Sequence, residues 1–186
     1  MSFFKIGERR RREQIAHALY VTIIDQSRLP GFYTRFGVPD TLDGRFDLIV
    51  LNAFLVMRRF KRVEARLADE ARELSQALFD LMFDDMDQNL RELGAGDMSV
   101  GKKVKQMARA FYGRATAYEE GLDGDGLVDA LIRNLFGTVE GALAPDHPIA
   151  MAHYMKLCDA ALAAQADGDV MEGRVVFVAP ESNDDT

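Results

Sequence analysis

The stretch that decides the fold is residues 46–57, which read Phe-Asp-Leu-Ile-Val-Leu-Asn-Ala-Phe-Leu-Val-Met. Apolar side chains cover nearly the whole circumference of a helix built from this stretch, with only Asp47 and Asn52 between them. A helix without a polar face is packed on several sides, so we expect it over about residues 45–62 at the centre of the fold. The apolar run is too short to cross a bilayer, which favours a buried core helix.

Outward from this central helix, apolar residues recur every three or four positions, a spacing typical of amphipathic helices. The pattern predicts further helices over about residues 13–27, 64–93, 101–119, 127–143 and 149–166. We therefore predict an all-α fold of about six helices in one domain.

Two segments lack helical periodicity. Residues 28–44 contain two prolines, three glycines and three aromatic residues, which predicts a long ordered loop pinned to the body. Thr41 or Asp43 is placed to cap the helix that follows it. Residues 174–179, Arg-Val-Val-Phe-Val-Ala, look like a strand without a partner, so we expect a docked tail. The predicted organisation is a basic N-terminal segment (1–12), a helical domain (13–168) and a C-terminal extended tail (169–186).

Composition is that of a globular protein, with 48% hydrophobic and 28% charged residues in a chain of 186. The only cysteine, Cys158, excludes an internal disulfide and is predicted to be a buried, inert thiol. The N-terminus lacks the pattern of a secretory signal, so we expect a soluble, intracellular protein. The sequence has no nucleophile, dinucleotide or phosphate-loop motif, and its three histidines lack ligand spacing. We therefore expect no catalytic residue, metal or cofactor.

Basic residues are concentrated near the N-terminus. Residues 1–62 carry 12 Lys and Arg against 6 Asp and Glu, although the net charge of the chain is −7. The run Arg9, Arg10, Arg11 and Arg12 is suited to an anionic membrane or to ribosomal RNA, or else is a solvated helix start. A second basic group, Lys102, Lys105 and Arg109, lies opposite the apolar face of its helix. It is either solvated or available to phosphates or an acidic partner.

Acidic residues cluster in the helix predicted over 64–93. Asp80, Asp84 and Asp87 share one face, and Arg91 is placed to pair with Asp87. Asp85 lies instead on the apolar stripe, where a carboxylate needs a partner or lines a groove. Its candidate partners are Arg45, Arg58 and Lys102. Two other functions stay open on these residues: a small helical metal-dependent enzyme using Asp84, Asp85 and Asp87, or a haem or quinone carrier.

Several blocks of sequence are more specific than helical periodicity. They are Pro30-Gly-Phe-Tyr, residues 37–47 (Gly-Val-Pro-Asp-Thr-Leu-Asp-Gly-Arg-Phe-Asp), residues 83–92 (Phe-Asp-Asp-Met-Asp-Gln-Asn-Leu-Arg-Glu), residues 96–105 (Gly-Asp-Met-Ser-Val-Gly-Lys-Lys-Val-Lys) and Phe111-Tyr-Gly-Arg. In their order and spacing these blocks resemble the ubiquinol–cytochrome c chaperone family, bacterial relatives of the mitochondrial cytochrome b assembly factor. The resemblance covers about residues 15–145.

The resemblance implies an assembly factor of respiratory complex III and not an enzyme. Such a chaperone would bind newly made cytochrome b at the cytoplasmic face of the inner membrane, with peripheral membrane association. A ribosome contact and a second assembly factor are further expected partners. The residues that the resemblance implies for client binding are Phe32, Tyr33, Val38, Pro39, Asp40, Arg45, Asp84, Asp85, Asp87, Asp97, Lys102, Lys103, Tyr112 and Arg114.

Overall fold

The fold consists of helices joined by short connections. The computed structural model describes residues 3–92, 94 and 96–180. Its helices are α1 (Phe3–Ser27), α2 (Gly31–Thr34), α3 (Leu42–Phe60), α4 (Ala68–Glu92), α5 (Asp97–Asp123), α6 (Leu127–Asn134), α7 (Asp146–Ala163) and α8 (Asp167–Met171), with one 3-10 turn at Ala65–Leu67. Six of these helices have eight or more residues, and no strand occurs in the described residues. The predicted all-α fold is confirmed.

Helix α3 is the centre of the core. It packs against α1, α4, α5 and α7, and Leu48, Leu51 and Leu55 are fully buried. The helix begins where the Gly44 N–H donates to Thr41 Oγ1 over 3.1 Å, so Thr41 is the residue that caps it. A helix that is apolar all round is covered on every side, as its sequence predicts.

Two helix boundaries differ from the predicted ones by more than two helical turns. Helix α1 begins at Phe3 and not near residue 13, because ion pairs stabilise its polar first turns: Arg9 Nε lies 2.7 Å from Glu13, and Arg12 pairs with Glu73 of α4. Helix α6 ends at Asn134 and not near residue 143. The N–H groups of Leu135 and Phe136 both bond to the carbonyl of Leu131, which closes the last turn.

The loop over residues 28–44 is ordered by its aromatic side chains, as expected. Phe32 is fully buried, with its ring 6.0 Å from Phe36 and 5.1 Å from Tyr154 of α7. Gly37 has a positive φ of 64°, and a Cβ at this position would lie 2.0 Å from His147 Nδ1. Only glycine fits both the conformation and the close approach of the loop to α7.

The C-terminal tail lies along α1 and α7. Gln165 binds the backbone of Val176 at both its carbonyl (2.8 Å) and its N–H (3.0 Å). Gln26 of α1 donates to the carbonyl of Val178 over 2.8 Å. Side-chain amides therefore take the place of the missing partner strand, and the tail docks on the body. Its last six residues, 181–186, lie outside the described residues.

Buried charges tie the covering helices to α3. Arg58 is 3% exposed; its Nε donates to Asp159 of α7 over 3.0 Å and its Nη2 to Asp123 of α5 over 2.6 Å. Arg58 also pairs with Glu119. Cys158 is buried beside this layer, as predicted, and burial raises the pKa of its thiol.

A second buried ion pair joins α3 to α5. Asp47 is 2% exposed, and Arg114 Nη2 lies 2.9 Å from its Oδ1. Arg114 also donates to the carbonyl of Asn134 at the end of α6, over 3.3 Å. Burial raises the pKa of Asp47 to about 7, more than the nearby Arg114 lowers it. Ionised Asp47 is thus held at a cost near neutral pH.

We predict that Asp47→Asn changes how stability depends on pH. The native pKa of about 7 exceeds the unfolded value of 3.8, so Asp47 favours the folded state at acid pH and this contribution is lost as pH rises to 7. The free energy of unfolding of the wild type relative to D47N should fall by about 2 kcal/mol between pH 5 and pH 8. Urea unfolding at both pH values measures it.

The matched control is Asp125→Asn at an exposed aspartate, which should leave the pH dependence unchanged. The absolute cost of D47N is uninformative, because the variant leaves Arg114 without its partner. A gap between wild type and D47N that is constant from pH 5 to 8 contradicts the raised pKa.

Candidate functional site

A groove of about 750 Å³ runs along the surface between α1 and α4. Its floor is apolar and is formed by Ala16, Ala77 and Leu81. Its rims are polar, and the residues on them are Arg9, Arg12, Glu13, His17, Glu73, Gln76, Asp80 and Asp84. An apolar floor between polar rims is the arrangement of a binding site for an apolar segment.

The groove exists because small side chains face each other on the two helices. Ala16 is 1% exposed and Ala77 is half-buried, and neither side chain extends beyond its Cβ. A larger residue at either position would fill the space that these alanines leave. Small residues on a helix surface also permit another helix to approach closely.

Charges on the two rims differ in sign. On the α1 rim, Arg12 pairs with Glu73 across the groove, and Arg9 pairs with Glu13 on its own helix. On the α4 rim, Gln76 donates to Asp80 over 2.7 Å, while Asp84 has no cationic partner in the part of the chain that the structure describes. The rim is therefore basic towards α1 and acidic along the second half of α4.

The predicted cationic partner of Asp85 is wrong. Its partner is none of the three predicted cations: the Tyr20 hydroxyl donates to Asp85 Oδ2 over 2.8 Å, and Asn89 Nδ2 donates over 3.0 Å. Tyr20 comes from α1, where it is 6% exposed, and burial together with this hydrogen bond raises its pKa. A neutral hydroxyl donor satisfies a half-buried carboxylate without a counter-charge.

The predicted cations have other roles. Arg45 lies on the surface and its Nε donates to Asp40 over 2.7 Å. Arg58 is used in the core, and Lys102 is exposed on α5. The i, i+4 pair of Arg91 with Asp87, at 2.5 Å, is confirmed.

The predicted client contacts in the 28–44 loop mostly stabilise the loop itself. Phe32 and Val38 are buried, at 0% and 3% exposure, so neither is available at the surface. Tyr33 is half-buried, and its hydroxyl donates to the carbonyl of Ser27 over 2.9 Å. Pro39 is half-buried as well.

The predicted residues of α5 lie apart from the groove. Lys102 and Lys103 are exposed, and Tyr112 is 58% exposed with its ring 5.3 Å from Phe79. Arg114 is held by Asp47, with its guanidinium 5.9 Å from the centre of the Phe46 ring. The side chain of Asp97 lies outside the described residues.

The groove therefore gathers only part of the predicted set, namely Arg9, Arg12 and Asp84. Its floor residues, Ala16 and Ala77, were not among the predicted ones. The signal for them was present as small residues next to the apolar stripes of their helices, but alanine alone is too common to single out. Arg10 lies outside the groove, and Arg11 pairs with Glu172, the residue that follows α8.

Two features are absent from the described residues, a metal-binding cluster and a membrane-spanning helix. No group of three or more His, Cys, Asp or Glu side chains there is arranged to hold a metal ion, the Asp84, Asp85 and Asp87 carboxylates included. No helix in the same part of the chain has the length and apolar character needed to span a membrane.

Known proteins with similar sequences share one description. Proteins named ubiquinol-cytochrome c reductase complex assembly factor 1 match at 24% identity over 136 residues in Drosophila melanogaster (72% of this chain, 52% of the relative). The Mus musculus protein matches at 26% over 120 residues (63% of this chain, 39% of the relative). This chain thus aligns with about half of these relatives' length or less.

A solved structure is similar over nearly the whole chain. It is described as the crystal structure of the Cbp3 homolog from Brucella abortus, with a TM-score of 0.81 and 31% identity over 98% of this chain and 100% of that one. A family model described as ubiquinol-cytochrome C chaperone matches residues 34–177. The chain therefore belongs to the ubiquinol–cytochrome c chaperone family.

Proposed function

We propose that this protein is an assembly factor of ubiquinol–cytochrome c reductase, respiratory complex III, and that it binds newly made cytochrome b. The family match over residues 34–177 carries this proposal, because it includes most of the helical body. The assembly-factor names of the relatives agree with it. The protein works by holding a client and not by catalysing a reaction.

The α1–α4 groove is the proposed client site. A newly made membrane protein exposes apolar helices whose backbone groups are already satisfied within the helix. Such a helix needs an apolar surface that it can approach closely, and the half-buried Ala77 and Leu81 provide one. The charged rims, with Asp84 on one side and Arg12 on the other, would bind the polar ends of the client segment.

The other predicted client contacts divide by exposure. Phe32 and Val38 are left out of the proposed surface because they are buried, and they act by holding the 28–44 loop in place. The exposed or half-buried residues stay predicted contacts outside the groove. They are Tyr33, Pro39, Asp40, Arg45, Asp85, Asp87, Lys102, Lys103, Tyr112 and Arg114.

Deletion of the gene should reduce assembled complex III and spectroscopic cytochrome b in the membrane together, with normal cytochrome b transcript. An unrelated oxidase in the same membranes is the control and should be unchanged. Normal complex III in the deletion strain contradicts the proposed client.

Blocking the groove should remove function without unfolding the protein. Ala77→Arg places a long charged side chain on the apolar floor, and we expect complex III in the complemented deletion strain to fall at least severalfold because the client helix is excluded. Ala160→Arg, at an exposed position of α7, is the matched control and should complement fully. Full complementation by A77R would show that the client binds elsewhere.

The basic run is proposed to concentrate the protein near an anionic surface. Arg9, Arg11 and Arg12 are each bound to a carboxylate, whereas Arg10 is exposed and has no ion pair among the described residues. Much of the run's charge is therefore already neutralised, and Arg10 is the member best placed to reach a membrane or a ribosome.

Changing Arg9, Arg10, Arg11 and Arg12 to Gln should weaken co-sedimentation with anionic vesicles or with ribosomes at low salt. Both are measured in parallel, and the difference from wild type should vanish at high salt because screening removes it. Unchanged association at low salt would remove this role from the N-terminus.

A further inference from the structure

Two charged stripes run side by side on the outer surface of α4 and α5. The acidic stripe, on α4, consists of Asp80, Asp84 and Asp87. The basic stripe, on α5, consists of Lys102, Lys105 and Arg109. Spacings of three and four residues place each set on one face of its helix, and all six side chains are exposed or half-buried.

The two stripes lie at the same level along the helices. The Phe79 ring of α4 packs 5.3 Å from both Phe111 and Tyr112 of α5, which fixes the register of the two helices. The helices run antiparallel and rise equally per residue, so positions after 79 on α4 face positions before 111 on α5. Asp80 to Asp87 therefore lie beside Arg109 to Lys102.

Most charges of the two stripes form no ion pair within their own molecule, the exception being Asp87, which pairs with Arg91. In the described part of the chain, Lys102, Lys105 and Arg109 form no ion pair, and neither does Asp84. Most other cations are paired, among them Arg62 with Asp159 and Arg174 with Asp169. Charges of both signs thus stand in parallel rows on one face, available to a partner with the complementary arrangement.

We propose that this partner is a second copy of the chain, docked face to face through α4 and α5. A two-fold axis parallel to the two helices and midway between them places α4 of each copy over α5 of the other. Rotation about this axis leaves every residue at the same height along the helices. Each acidic stripe therefore meets the basic stripe of the partner. Such an interface is isologous and closes as a dimer.

Two features near the axis fit this arrangement. Tyr112 is 58% exposed and lies against Phe79, where α4 meets α5, so it would contact its own copy across the axis. Gly113 lies in the interior of α5 with no atom within 4 Å of its Cβ position. Glycine is less favourable than alanine in a helix interior, and no contact within the chain requires it at this position. It leaves room for the partner helix.

The dimer and the proposed client compete for one surface. Asp80 and Asp84 belong both to the acidic stripe and to the groove rim, so a second copy would cover part of the groove. Self-association is nevertheless a property of the purified chain alone. Its test is independent of whether cytochrome b is the client.

Sedimentation velocity of the purified full chain tests the proposal. We expect a concentration-dependent dimer at about 20 mM salt, with a dissociation constant raised about tenfold at about 300 mM salt, because screening weakens complementary charges. K102E/R109E and D80K/D84K should each weaken self-association at least tenfold. Each variant carries net charge of one sign on both stripes, so two copies of the same variant repel each other. A one-to-one mixture of these two variants should restore the dimer, because both halves of the interface become complementary.

The matched control is R133E/K156E, which changes the net charge by the same amount at exposed positions of α6 and α7 and should dimerise like the wild type. Circular dichroism checks that the variants fold. A wild-type chain that is monomeric at every concentration in low salt overturns the proposal. So does a mixture that associates no more than the separate variants, or a control that weakens as much as K102E/R109E.

Discussion

The burial of α3 is the constraint on which the rest of the structure depends. A helix that is apolar on every side is stable only when other elements cover all of it. Its few polar side chains then require partners in the covering helices. Asn52 donates to Ser27 of α1 over 2.9 Å, and Arg59 donates to the carbonyl of Leu162 in α7 over 2.8 Å. Together with the Asp47 and Arg58 pairs, these contacts fix which helix lies on which side of α3.

The character of the surface follows from this arrangement. The covering helices pack their apolar faces on α3 and on one another, so their outer faces are left polar and charged. The α1–α4 groove is an exception, because the small side chains of Ala16 and Ala77 leave a gap in which Ala77 and Leu81 are partly exposed. The stripes on α4 and α5 are the opposite case, since they place mostly unpaired charge on a helix pair held in register by Phe79. One molecule thus offers an apolar groove and a charged face that share one rim.

The similarity to known proteins extends over most of this chain but over only part of the assembly factors that it matches. The chain overlaps a similar solved structure over nearly its full length, yet spans only 52% and 39% of two of the assembly factors that it matches. The family match over residues 34–177 includes α3, α4 and α5. A function common to the family must use surfaces that this part presents, and α4 supplies one side of the proposed client groove, whereas α1 lies outside the match.

The sequence alone determined the features that depend on local spacing. They are the all-α class, the central helix, the pair of Asp87 with Arg91 and the buried thiol, because helical periodicity and i, i+4 contacts act within one element. Only the tertiary structure decided the start of α1, the partner of Asp85 and the lining of the groove. Tyr20 and Asp85 are joined by helix packing across 65 residues of sequence. Periodicity shows which face of a helix is buried, but it does not show which residues of another helix that face will meet.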